Sequence, residues 1–177
     1  MVPEALAAGP GRRGARIPPH SRHATRRTAG LEAAVVDHAP MTIAALDATD
    51  ARRVEIAVAG PGALLVSKLH KLGERKDEPG RLVDKDAHDI YRLLVATDPG
   101  KLGERLSELA ADQLAGPATR MAITYLRQLF ADPDALGAMM AGRAEQLVGD
   151  SAVVSASAAA LAGDVLAVVD RDPGSAR

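Results

Sequence analysis

A chain of 177 residues, 47% of them hydrophobic, can bury one sizeable core, and with one Phe, two Tyr and no Trp that core must be built from Ala, Leu, Val and Ile. Zero cysteines exclude disulfides, thiolate metal sites and a cysteine nucleophile. The net charge of −1 hides an imbalance, +5 over residues 1–30 and −6 over the remainder, so a basic arm precedes an acidic body.

Residues 9–30, GPGRRGARIPPHSRHATRRTAG, carry turn chemistry without a sustained apolar period and are expected to form a flexible loop within a basic arm spanning 1–30. GPGRRG follows no strand and opens no helix, so it is not a phosphate-cradling loop. His20 and His23 lack an acidic or thiolate neighbour and are expected at the surface rather than on a metal. The short apolar runs LEAAVVDH, MTIAALD and RRVEIAVAG, separated by HAP and DATDAR, predict two or three strands of a small antiparallel or mixed sheet across 31–59.

From Gly60 the period changes. Gly60-Pro61 opens a helix whose Leu65, Leu69 and Leu72 recur at helical spacing, and KDEPGR ends it. Asp84 is the expected N-cap of a second helix running to about Ala96, and Thr97-Asp98-Pro99 restarts the chain as a third. Gly116-Pro117, Asp132-Pro133 and Asp150-Ser151 open three more, so the segment 60–170 is expected to be helical and the tail 171–177 frayed. The expected fold class is therefore α/β (α+β), a small sheet of two or three strands followed by about six helices. The apolar run Ser151 to Val169 is interrupted by Asp164 and is read as falling short of a membrane span, which makes a soluble cytoplasmic protein with no membrane partner the expectation. KLGER occurs at Lys71–Arg75 and again at Lys101–Arg105 with unmatched flanks and is read as coincidence.

The stretch LLVSKLHKLGERKDEPGRLVDKDAHDIYRLL holds most of the charge contrast. At about 100° per residue, Lys68, Lys71 and Arg75 form one cationic ridge beside the leucine stripe. On the next helix Asp86 projects between Ile90 and Leu93, with Asp89 at the edge of the apolar face. A carboxylate aimed at the core boundary needs a partner, because an unpaired buried charge costs several kcal/mol. Two explanations follow. Either Arg75 or Lys71 pairs with Asp86 across the helices while Asp89 pairs with Lys85, or the ridge lines a pocket for phosphates and the aspartates hold it in place. His70, off the leucine stripe, is expected to be exposed.

The run ALLVSKLHKLGER, a short linker and KDAHDIYRLL resemble the helical region of AbiEii-type toxins, members of the polymerase-beta-like nucleotidyltransferase superfamily; the match covers residues 54–95. The resemblance implies that Lys68 and Arg75, with Lys71 on the same ridge, contact a nucleoside triphosphate, and that Asp86 and Asp89 are supporting carboxylates. It also implies Mg²⁺ as cofactor of the intact family member, RNA or protein as acceptor, and an antitoxin as partner. Glu55, between Val54 and Ile56, is similar to the superfamily's third carboxylate. The catalytic Gly-Ser turn and the Asp-x-Asp strand are absent from the sequence, and MVPEAL at 1–6 resembles the strand that follows them. The expectation is a C-terminal part of such a protein, with 31–59 a remnant of its sheet domain, inactive alone. The competing expectation is a non-enzymatic helical protein-interaction module. A third pattern, Arg81 and His88, is similar to the arginine-to-histidine spacing of HEPN ribonucleases.

Overall fold

The computed structural model describes residues 1–7, 14–21 and 24–171. Among them lie two sheets of two strands each and seven α-helices, a mixed α/β chain whose C-terminal part is mainly helical. β1 (Val2–Pro3) pairs in parallel with β2 (Arg27–Thr28), followed by α1 (Glu32–Val36) and an antiparallel hairpin of β3 (His38–Ala44) and β4 (Arg53–Ala59). The helical part comprises α2 (Pro61–Gly73), α3 (Asp84–Ala96), α4 (Pro99–Ala111), α5 (Gly116–Phe130), α6 (Leu136–Glu145) and α7 (Ser151–Val169).

Two of the three expected strands form; the third is a helix. LEAAVV is α1, because its two alanines favour helix and its acid falls in the first turn, while five residues are too few to display a period. HAP, expected to separate strands, lies inside β3, where Pro40 is tolerated because the strand is at an edge. The segment read as a loop is partly ordered by pairing: Arg27–Thr28 is β2, Gly14 bridges Arg26, and Ala15 is buried. Residues 8–13 and 22–23, with His23, and the tail from 172 lie outside the described residues; His20 is exposed.

Helix starts follow the predicted chemistry with two exceptions. Asp98 caps α4 by accepting from Lys101 N, and Asp150 caps α7 by accepting from Ala152 N and Val153 N. Asp84, expected as the N-cap of α3, is instead its first residue, and its carboxylate pairs with Arg143 of α6 at 2.8 Å. Asp132 does not open α6; its Oδ1 accepts from Asp134 N at 2.8 Å in a turn, and the helix begins at Leu136.

The helices pack as a bundle with α2 against α3 and α5, α3 against α6, and α7 against α4 and α6. Its core is leucine-rich, with Leu65, Leu69, Leu72, Leu94, Leu102, Leu106 and Leu126 fully buried around the single Phe130. By length and composition α7 is apolar enough to cross a membrane despite Asp164, which corrects the sequence reading; here Ala158, Ala162, Val165 and Val169 are buried within the bundle.

Two buried acids organise the N-terminal part, and one of them, Asp37, joins it to the bundle. Glu32 accepts from Ala5 N at 3.0 Å and from Gly30 N at 2.8 Å, tying the N-terminal segment and the β2–α1 turn to one carboxylate. Asp37 accepts from Ala63 N at 2.8 Å and from Arg105 Nε at 3.1 Å, so it satisfies an orphan N–H of α2, whose own Gly60 N-cap has no side chain. His70 is buried, not exposed. The reason is that α2 is enclosed on several sides, by α1, α3 and α5, so its buried face is wider than the leucine stripe. Its Nε2 lies 2.8 Å from Ala118 O, its ring meets Tyr125 edge-on, and Gly30 presses on it from outside.

Gly30 has φ +85°, and a Cβ there would fall 2.7 Å from His70 Cδ2. Gly30→Ala combines left-handed strain with a clash against a ring held by a hydrogen bond, and is expected to destabilise the chain by about 2 kcal/mol or more. Urea denaturation measures it; an unchanged midpoint contradicts this packing.

Candidate functional site

The three cations and the two aspartates meet across α2 and α3, with a correction to the expected ridge: Lys68 and Lys71 are on α2, whereas Arg75 lies in the turn that follows it, because the helix ends at Gly73. Lys71 Nζ lies 2.5 Å from Asp86 Oδ1, and Arg75 Nη1 lies 3.2 Å from Asp86 Oδ2, so each oxygen of one carboxylate takes one cation. The Asp86 side chain is only 9% exposed, whereas Lys71 and Arg75 remain 48% and 27% exposed. Lys68 Nζ and Lys85 Nζ both lie 2.9 Å from Asp89 Oδ2. These two hydrogen bonds, Lys68 first, lower the Asp89 carboxyl from its ordinary value to about 2. The pairs named by the ion-pair explanation form, and Lys68, to which it gave no partner, also pairs with Asp89, so all three cations have carboxylate partners.

A cavity of about 490 Å³ opens beside the ridge. Arg26 and Arg27 reach it from the β2 segment, Lys71 from α2, Arg75 from the turn just after it, and Arg81 from the turn before α3, against Glu4 and Glu74. Five cations from three stretches of chain face two acids around one concavity. The pairing of β1 with β2, together with the Glu32 anchor, sets its outer wall, and the Asp86 pairs set its inner one.

The predicted residues are not all brought together. Lys71 and Arg75 line the cavity; Lys68 does not, being turned to Asp89. Asp86 stands behind the wall as the partner of Lys71 and Arg75. Glu55 lies on the exposed β4, opposite Thr42, and is not among the cavity residues. Arg81 and His88 do not meet: Arg81 pairs with Glu78 at 2.8 Å, and His88 Nε2 lies 2.5 Å from Glu145 Oε1 on α6. Among the described residues no group of three or more His, Asp or Glu side chains is placed to hold a metal ion. Arg26, Arg27 and Arg81 were not singled out as cavity residues from sequence; the excess positive charge over 1–30 was the available signal for the first two.

No family model, no curated protein and no solved structure matches this chain.

The two aspartates are expected to differ in worth. Removing Asp86 leaves two cations that can partly rehydrate, so Asp86→Ala is placed between the surface and buried limits, at about 2 kcal/mol. Asp89→Asn, at a more exposed pair, is expected to cost less than about 1 kcal/mol at neutral pH. Because the folded-state pKa of Asp89 is depressed, its contribution is complete above the ordinary value of 3.8 and is lost as pH falls towards about 2. Denaturation of wild type and both variants at pH 7, and of wild type and Asp89→Asn down to pH 2, measures this. Equal costs, or an Asp89 difference that grows on acidification, would contradict it.

Proposed function

We propose that the cavity binds the phosphates of a nucleoside triphosphate, in a chain that forms part of a nucleotidyltransferase-like protein of the AbiEii type. The observation that carries this reading is the convergence of Arg26, Arg27, Lys71, Arg75 and Arg81 on one cavity of about 490 Å³. That volume lies within the range of small-ligand sites, and seven of the twelve residues that line it are charged, beside Met1, Ala29 and Leu31. Lysine offers a phosphate a mobile point charge and arginine a planar fork, so the set suits a polyanion. The resemblance of residues 54–95 to the helical region of that family supports the same ligand.

Lys71 and Arg75 are the phosphate contacts in this reading, and Asp86 holds them in position from behind. Lys68 and Asp89 form an adjacent strut between α2 and α3. Among the described residues no aromatic side chain lines the cavity, so binding rests on the phosphates and discriminates weakly between bases. The Mg²⁺ implied by the resemblance finds no ligand set among the described residues, and the role assigned to this chain is binding. Acting alone it is proposed to be inactive in transfer. The acceptor, RNA or protein, and an antitoxin partner belong to the intact family member, in a cytoplasmic setting where nucleoside triphosphates are present.

A second reading has its own observation. Every ridge cation already has a carboxylate partner within 3.2 Å, which favours a helical interaction module in which the ridge is structural.

Thermal unfolding with and without ATP and Mg²⁺ separates the two. Wild type and Lys68→Ala are expected to gain several degrees, tripolyphosphate to act similarly, and Lys71→Ala and Arg75→Ala to lose the gain. Equal shifts in all variants, or none in wild type, support the module.

A further inference from the structure

The β3–β4 hairpin is exposed along both strands, apart from the last two residues of β4. Its register places Ala39, Met41 and Ile43 beside Val58, Ile56 and Val54 on one face, and sets Thr42 and Ala44 beside Glu55 and Arg53 on the other. A two-stranded hairpin is at best marginally stable in water by itself, so an arm of this kind is stabilised by additional strands.

The ends of the ladder show where such a strand can add. Gly60 N–H donates to Asp37 O at 2.9 Å and Ala45 N–H donates to Arg52 O at 3.1 Å. Backbone groups alternate in direction along an antiparallel strand, so the even-numbered positions of β4 face β3. The N–H and C=O of Arg53, Glu55, Ala57 and Ala59 therefore face the outer edge. On β3 the outward set includes Pro40, which has no N–H to give. The edge open to strand addition is that of β4.

We propose that β4 pairs antiparallel with β4 of a second copy about a two-fold axis at Val54, making one four-stranded sheet. Charge selects the register. An axis at Glu55 or at Arg53 sets two like charges directly opposite, and an axis at Ile56 sets both charged residues opposite alanines. The axis at Val54 places Arg53 of each copy opposite Glu55 of the other, in hydrogen-bonded pairs on the polar face, with Val54 against Val54 on the apolar face. A two-fold contact makes both pairs at once, so one residue change alters the interface twice. The strand contact is small compared with a standard interface of about 1,600 Å², so the dimer is expected to dissociate on dilution.

Sedimentation equilibrium across the micromolar range tests this with charge inversion. Wild type is expected to form a concentration-dependent dimer, and Glu55→Arg and Arg53→Glu each to weaken it by about tenfold or more. The double variant R53E/E55R regenerates both opposite-charge pairs and is expected to return association to the wild-type level. Both positions are exposed, and circular dichroism of each variant verifies that the fold is retained. A wild type that stays monomeric, single inversions without effect, or a double variant no better than the singles would each overturn the proposal.

Discussion

One carboxylate at the edge of the core, Asp86, sets the relation between the two helices that matter most. It is nearly buried, and an ion in that position is tolerated only where opposite charge is supplied at short range. Lys71 supplies it from α2 and Arg75 from the turn that follows, one on each oxygen. The consequence is geometric: two long, flexible cationic side chains are fixed on the wall of a cavity instead of spreading into solvent. In the reading proposed above, the same pairing that neutralises Asp86 holds both side chains where a phosphate would meet them, so the ion-pair and phosphate explanations of the ridge are compatible in one arrangement.

α2 is the element on which the remainder converges. Its N-terminus is capped from outside by Asp37, the buried His70 sits on it beneath Gly30, and its C-terminal half carries Lys68 and Lys71, with Arg75 in the turn beyond. Glu32 fixes the segment that brings Arg26 and Arg27 across from it. The hairpin extends from the start of the same helix but, among the described residues, contributes nothing to the cavity lining, so the cavity and the β4 edge are separate features.

Much of the helical part was legible because its signals are local. Proline and glycine at helix starts, Asp98 and Asp150 as caps, and leucine periodicity each act within a few residues. The pairing of Asp86 with Lys71 and Arg75 was also legible, since a wheel places the acid at the core boundary beside a cationic neighbour. Contacts between distant segments were not. Asp37 caps a helix 26 residues away, and Lys68 turns to Asp89 rather than to the cavity. His70 looked exposed because one stripe was assumed to be the only buried face of α2. α1 was read as a strand because a short apolar run has no decisive period, and the basic arm was read as a loop although pairing with Val2 and Pro3 orders its end.

The central claim is that Arg75 and Lys71, held by Asp86, present their remaining donors to a phosphate chain. Its most direct measurement is the ¹⁵Nε–¹H resonance of Arg75, assigned by its disappearance in Arg75→Lys, followed while inorganic tripolyphosphate is added to the folded chain. The account predicts a saturable shift of that resonance, with Asp89 and the helical core unmoved. A resonance that stays in place while the polyanion is added to large excess would contradict it.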